Sequence, residues 1–190
     1  MMHDIALEDF LSEMKHAPCM ANARESTHVE AFKIDDEDGL ARTLGFHAAM
    51  LSKVDYFLIK GDQIQLIELS DLEESAQQCL AAKIQQTKLE ANSLGVSESE
   101  LTAKARKRIR KESWASVVNE FNRKWCGSIA VVERLYRKNG LTFDNPEYRL
   151  LIICKDATDA RILDDLCVQL TGMMGTVIVC NSNKTNTFTL

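Results

Sequence analysis

The chain has little of what builds flexible connections: two prolines (Pro18, Pro146) and eight glycines among 190 residues. Such scarcity argues against long structureless linkers. A C-x-x-C pair is also missing. The six cysteines (Cys19, Cys79, Cys126, Cys154, Cys167, Cys180) are scattered, several in apolar contexts where a free thiol behaves as a small hydrophobe, which argues against a disulfide framework. His16-x-x-Cys19 has a zinc-like spacing, but no second pair completes four ligands. The longest aliphatic run near the C-terminus, Leu150–Cys154, is far too short to span a bilayer. The opening MMHDIALEDFL lacks the basic-then-apolar order of a signal peptide. The expectation is therefore a soluble, cytoplasmic protein with no membrane partner. G-x-x-x-x-G-K-[ST], G-x-G-x-x-G and the serine and cysteine nucleophile signatures are absent too, which sets aside kinase, dehydrogenase and serine-hydrolase chemistry.

What is present is ordinary for a globular chain: 45% apolar and 27% charged residues. A length of 190 residues suits one domain over 1–190, with a helical elaboration over about 97–138. The pattern organises around Val54–Asp71, VDYFLIKGDQIQLIELSD, which reads as two strands joined at Lys60-Gly61-Asp62-Gln63. Gly-Asp between β-rich runs signals a primed turn. A turn centred there pairs residues whose numbers sum to 123: Ile59 with Ile64, Phe57 with Leu66, Asp55 with Glu68, Lys53 with Ser70. Because side chains alternate, all of these project from one face, and both faces are mostly apolar. Strands of that kind are central and covered by helices on both sides.

Two carboxylates opposed on a buried hairpin need a counter-charge. At roughly 5 Å and an effective dielectric of about 20 they repel by about 3 kcal/mol before desolvation is counted. A cation such as Lys53, a shared proton or a divalent metal would relieve this, and oxygen ligands suit Mg²⁺ or Mn²⁺.

Asp55, a hairpin, then hydrophobic-Glu68-x-Ser70 at a strand end resembles the PD-(D/E)xK nuclease superfamily. Its signature is an Asp at the start of one strand and an (Asp/Glu)-x-Lys triplet on the next. The thirteen-residue step from Asp55 to Glu68 falls within its usual gap, whereas Ser70 stands in the lysine position and Val54 in the proline position. The resemblance implies a restriction-endonuclease-like α/β (α+β) fold, a mixed central sheet flanked by helices with a helical insertion. It also implies Mg (or Mn) held by Asp55 and Glu68, and DNA or RNA as substrate. Lysines in that superfamily sometimes shift to the helix after the motif, where Lys83 lies; Lys53 is the cross-strand candidate for the same role.

Around this hairpin, Ile5–Lys15 has the spacing of an amphipathic helix and Thr27–Ile34 alternates as a strand. Asp35-Asp36-Glu37-Asp38 precedes a helix predicted over Gly39–Leu51, whose positive end it would face. Asp71-x-x-Glu74 and Ser97-x-x-Glu100 open two long helical stretches, the first over about Leu72–Ser93. The second runs in segments to about Lys138, interrupted near Cys126-Gly127. Arg149–Cys154, Thr158–Thr171 and Thr176–Cys180 form a strand–helix–strand unit fit for a parallel crossover. Asn181–Leu190 reads as a polar tail.

Lys104, Arg106, Lys107, Arg108, Arg110 and Lys111 place six cations in eight residues. Against a whole-chain charge of −5 they leave −11 for the rest. Such asymmetry suits a nucleic-acid footprint on an acidic protein. It equally suits a solvated helix face balanced by Glu98, Glu100 and Glu112. Two functions therefore stand at this point. One is a nucleic-acid-binding protein with metal-dependent nuclease chemistry. The other is a catalytically silent module of the same scaffold that binds a protein partner.

Overall fold

The computed structural model describes residues 5–16, 25–47, 50–72, 85, 88–89, 103–141, 145–171, 174 and 176–190, with the helical backbone but not the side chains at 103–111, 113 and 165. Its centre is a six-stranded sheet in sequential order: β1 (Leu11–Lys15), β2 (Ser26–Lys33), β3 (Tyr56–Lys60), β4 (Gln63–Ser70), β5 (Glu147–Cys154) and β6 (Thr176–Asn181). The first four strands form an antiparallel meander, and β5 and β6 add parallel to β4. Helices are α1 (Leu40–Thr43), α2 (Ala103–Lys138), α3 (Ala160–Thr171) and α4 (Thr185–Phe188). The fold class is the mixed α/β arrangement that the alternating strand and helix patterns predict.

The hairpin register is the one the turn dictates. Ile59 pairs with Ile64, Phe57 with Leu66 and Tyr56 with Ile67. Gly61 takes φ +61° while Asp62 stays out of the left-handed region, the sign pattern of a II′ turn. Val54, Phe57, Ile64 and Leu66 then join Leu150 and Ile152 in one apolar cluster under α2 (Val117, Phe121, Val131, Val132, Leu135) and α3 (Leu166, Leu170). Each fully buried Leu, Ile or Phe contributes about 2 kcal/mol of transfer free energy here.

The opposite face is covered differently from the expectation. Tyr56, Ile67, Leu151 and Ile153 pack with Met14 of β1, Ala31 of β2 and Cys180 of β6. Strands far apart in the sheet order share that cluster, and the C-terminal α4 ties onto the sheet through the Gln65 bond to the Phe188 carbonyl. His16, just past β1, meets Ser182, just past β6, at 3.0 Å, which ties the two edge strands together.

Several expectations from sequence are corrected. Ile5–Lys15 is a 3₁₀ turn at Leu7–Phe10 running into β1, not a helix. Its apolar residues serve two faces: Leu7 and Phe10 pack on the first cluster and Met14 on the second. The helix predicted over Gly39–Leu51 shrinks to the four residues of α1, too short to present a useful dipole. The acids before it are matched by cations instead. Lys33 pairs with Asp36 at 3.0 Å and Asp38 at 2.9 Å, and Lys53 pairs with Asp35 at 3.0 Å. The polar tail is ordered: a 3₁₀ turn at Ser182–Lys184 leads into α4, and Gln65 on β4 donates to the Phe188 carbonyl at 2.8 Å.

The most consequential correction is at Gly127. The helix is not interrupted there; α2 runs unbroken through it for 36 residues. A Cβ on Gly127 would lie 2.0 Å from the Ser52 carbonyl oxygen, so glycine is required for the helix to approach the Leu51–Ser52 backbone. Gly127→Ala should therefore destabilise the fold by about 2–3 kcal/mol, the cost of overpacking against rigid backbone. The urea midpoint measures it, and an unchanged midpoint would contradict the close approach.

Candidate functional site

Asp55 sits just before β3, where two backbone ties hold the chain. Its carbonyl accepts from the Ile34 N–H at 2.8 Å, which anchors it to the end of β2. One residue back, the Val54 N–H donates to Ser128 Oγ at 2.9 Å, and Ser128 Oγ donates to the Lys124 carbonyl at 2.7 Å. The fully buried Ser128 thus binds the start of β3 to the turn of α2 that carries Lys124. Asp55 Oδ2 accepts from the Leu69 N–H of β4 at 2.8 Å, a cross-strand bond just beyond the last ladder pair, Tyr56–Ile67.

Glu68 lies on β4 with Ile64 and Leu66 on the face beneath α2, and is 4% exposed. Its Oε1 is ion-paired with Lys124 Nζ, which also lies 3.4 Å from Glu120 Oε1. Its Oε2 is buried with no hydrogen-bond partner among the described residues. Burial pushes the Asp55 carboxyl up to about 6; the Leu69 N–H and Lys124 oppose that rise, while Asp35 and Asp36 add to it. Burial and then the Asp55 charge push Glu68 up to about 8 against the pull of Lys124. Lys124 is itself raised, because its two carboxylate neighbours and Glu120 outweigh its own burial. One ammonium thus offsets only part of the negative charge at this point.

Asp55 and Lys124 each line a cleft, and Glu68 lines neither. One of about 400 Å³ is lined by Asp55 with Lys15, His16, Lys33, Asp35 and Tyr56. The other, of about 720 Å³, is lined by Lys124 with Lys53, Arg123, Asp35 and Gly127. Asp35 lines both. The acids also stand at the end of the sheet where the parallel strands β4 and β5 terminate, the place where open α/β sheets bind ligands.

The sequence-predicted residues fare unequally. The hairpin ladder ends at Tyr56–Ile67, one step short of the expected Asp55–Glu68 pair; Asp55 instead accepts from the Leu69 N–H, near enough for its charge to raise Glu68. Lys53 does not serve them: its side chain is 3% exposed, bound to Asp35 and, at 3.1 Å, to the Leu51 carbonyl. Ser70 ends β4 beside Cys154 and brings no charge. Lys83 lies outside the described residues. Lys104, Arg106, Lys107, Arg108 and Arg110 occupy the N-terminal turns of α2 with Lys111, and only their backbone is described. His16 is bonded to Ser182, and Cys19 lies outside the described residues.

Lys124 is the residue that reasoning from the hairpin missed. It lies 56 residues after Glu68. Its one sequence signal is Gly127-Ser128 just beyond it, small groups that mark where a helix presses against another element.

No family model, no curated protein and no solved structure matches the chain. No helix among the described residues is long and apolar enough to cross a membrane.

A divalent ion fits this donor set in part. The unpartnered Oε2 of Glu68 and the second oxygen of Asp55 are hard oxygen ligands of the kind Mg²⁺ and Mn²⁺ prefer. Among the described residues no group of three or more His, Cys, Asp or Glu side chains gathers to cage an ion. Such an ion would therefore keep much of its water, as Mg²⁺ usually does.

Proposed function

We propose that this protein binds nucleic acid and cleaves its phosphodiester backbone with a divalent metal, on a scaffold of the PD-(D/E)xK nuclease type. The single observation that carries the reading is the buried Glu68 beside the half-buried Asp55, with Lys124 against one carboxylate oxygen of Glu68 and, among the described residues, no hydrogen-bond partner for the other. An antiparallel β2–β3–β4 meander followed by a parallel β5 supports it, since that superfamily has the same order of strands.

In this reading Asp55 and Glu68 hold Mg²⁺ or Mn²⁺. The bound ion would lower the pKa of its water and polarise a phosphoryl oxygen. The chain's own contribution is positional and electrostatic. The Leu69 N–H fixes one oxygen of Asp55, leaving the other for the ion. Ser128 holds the strand and the Lys124 turn in register. Lys124 supplies at the cleft the fixed positive charge that the triplet lysine supplies in the resembled family, where charge grows on the phosphoryl oxygens. The lysine has moved from the strand, where Ser70 stands, to the covering helix.

One observation favours a second reading, a catalytically silent module that binds a protein partner: Lys124 already neutralises Glu68 in part. Cleavage of mixed DNA and RNA substrates separates the two. The nuclease reading expects Mg²⁺- or Mn²⁺-dependent products that Asp55→Ala abolishes. Absence of products with either metal on every substrate, or products that survive Asp55→Ala, would leave the silent module.

A further inference from the structure

Lys124 has two carboxylate neighbours of unequal standing. Its Nζ is ion-paired with Oε1 of Glu68, whose side chain is 5% exposed, and lies 3.4 Å from Oε1 of Glu120, whose side chain is 58% exposed. Glu120 precedes Lys124 by about one helical turn, so an inner and an outer acid stand within reach of one side chain. The helix backbone at this point is pinned. Ser128 Oγ donates to the Lys124 carbonyl at 2.7 Å and accepts from the Val54 N–H at 2.9 Å, and Gly127 abuts the Ser52 carbonyl. What can move is the lysine side chain, an ammonium on a flexible four-carbon stem. Lys124 lines the 720 Å³ cleft and Glu68 does not, so the ammonium stands between the buried carboxylate and that cleft.

We propose that Glu120 is a positioning residue of the site: it takes over the Lys124 ammonium when a divalent ion occupies Glu68. This rests on the metal-dependent reading above and adds how the resident cation gives way. Oε2 of Glu68 has no hydrogen-bond partner among the described residues, so it is the oxygen open to an ion. A second cation there would share one carboxylate with the ammonium, and like charges so close repel strongly. Moving outward to Glu120 relieves that repulsion and keeps the ammonium paired. Arg123, the neighbouring cation of the cleft, donates to the Asn119 carbonyl at 3.4 Å and forms no ion pair with Glu120 among the described residues. Glu120 is therefore left to Lys124.

The test is Mn²⁺ uptake by the full chain at a fixed, mildly alkaline pH, read from the free-ion electron paramagnetic resonance signal. Glu120→Gln should weaken uptake about two- to fivefold, the range that an exposed ion pair is worth. In a Lys124→Met background the same change should have no effect, because no ammonium remains to be moved. Lys124→Met alone should bind at least as tightly as the parent, having lost the cation that repels the ion. Lys124→Gln provides the same background if the Met variant is unfolded. Unchanged urea midpoints establish that Glu120→Gln is folded.

Equal weakening in both backgrounds overturns the handover, since Glu120 would then act on the ion by its charge alone. No weakening in the parent background, or loss of uptake in a folded Lys124 variant, overturns it too. Uptake by the parent chain that Asp55→Asn and Glu68→Gln abolish would leave the metal-dependent reading standing in each of those cases. Absence of uptake by the unaltered chain overturns both.

Discussion

Lys124→Met should abolish measurable cleavage and make the fold's stability more sensitive to alkali. The activity arm follows from position: loss of one fixed charge at a developing oxyanion costs about two to three orders of magnitude in turnover. The stability arm follows from burial. Glu68 is 4% exposed, and Lys124 is the only cation ion-paired with it among the described residues. Removing one partner of a buried pair costs about 3–5 kcal/mol when the charge left behind stays ionised. Glu68 can escape that cost by taking up a proton, which its carboxyl, already pushed up to about 8, does readily at pH 6. The destabilisation should therefore be small at pH 6 and reach about 3 kcal/mol at pH 9, read as a shift in urea midpoint. An equal loss at both pH values would mean that Lys124 acts by packing alone.

The second large effect has the opposite sign. Glu68→Gln should stabilise the metal-free protein, increasingly as pH rises. Asp55 and Glu68 are raised from ordinary values of 3.8 and 4.5 to about 6 and about 8. The folded state therefore binds more protons than the unfolded chain between about pH 4 and 8, and stability falls as pH climbs through that window. Glutamine cannot ionise, so the variant escapes the Glu68 share of the loss. Set to zero at pH 5, the difference should reach about 4 kcal/mol in the variant's favour by pH 8.5, since each tenfold change in proton affinity corresponds to about 1.4 kcal/mol and close to three such units fall in that window. Thermal or urea unfolding across pH measures it, and a variant less stable than the parent at pH 8.5 would contradict the frustrated pair. Under the nuclease reading proposed above, the same substitution also removes a proposed metal ligand, so it should gain stability while losing metal-dependent cleavage, a trade expected where a strained charge serves function.

Much of this site was legible in eighteen residues, because a hairpin is local. Gly61-Asp62 sets the turn, and the turn sets the register of the pairs from Tyr56–Ile67 to Lys60–Gln63, which brings Asp55 to the edge of the strand that carries Glu68. The parallel crossover was legible for a like reason, in the strand–helix–strand rhythm after Arg149. What failed was non-local. Lys124 reaches Glu68 only because α2 lies across the sheet, and nothing in the hairpin reports which helix covers it. Cross-strand geometry nominated Lys53, yet the chain leaves the ladder before Tyr56 and turns that side chain to Asp35. The glycine at 127 was misread as a break because a close backbone approach and a helix end call for the same residue. The helix expected at Ile5–Lys15 failed because a turn and a strand feeding two clusters reproduce helical apolar spacing over a few residues.

Whether Asp55 and Glu68 together form a divalent-metal site is decided by loss of the free Mn²⁺ electron paramagnetic resonance signal on titration with protein. At pH 7.5 the unaltered chain should take up one Mn²⁺, with affinity rising as pH increases from 6 to 8 because binding displaces protons held by the two acids. Asp55→Asn and Glu68→Gln should each abolish that uptake, while Lys53→Met leaves it intact. Uptake that is absent in the parent chain, or unchanged in both acid variants, would contradict the site.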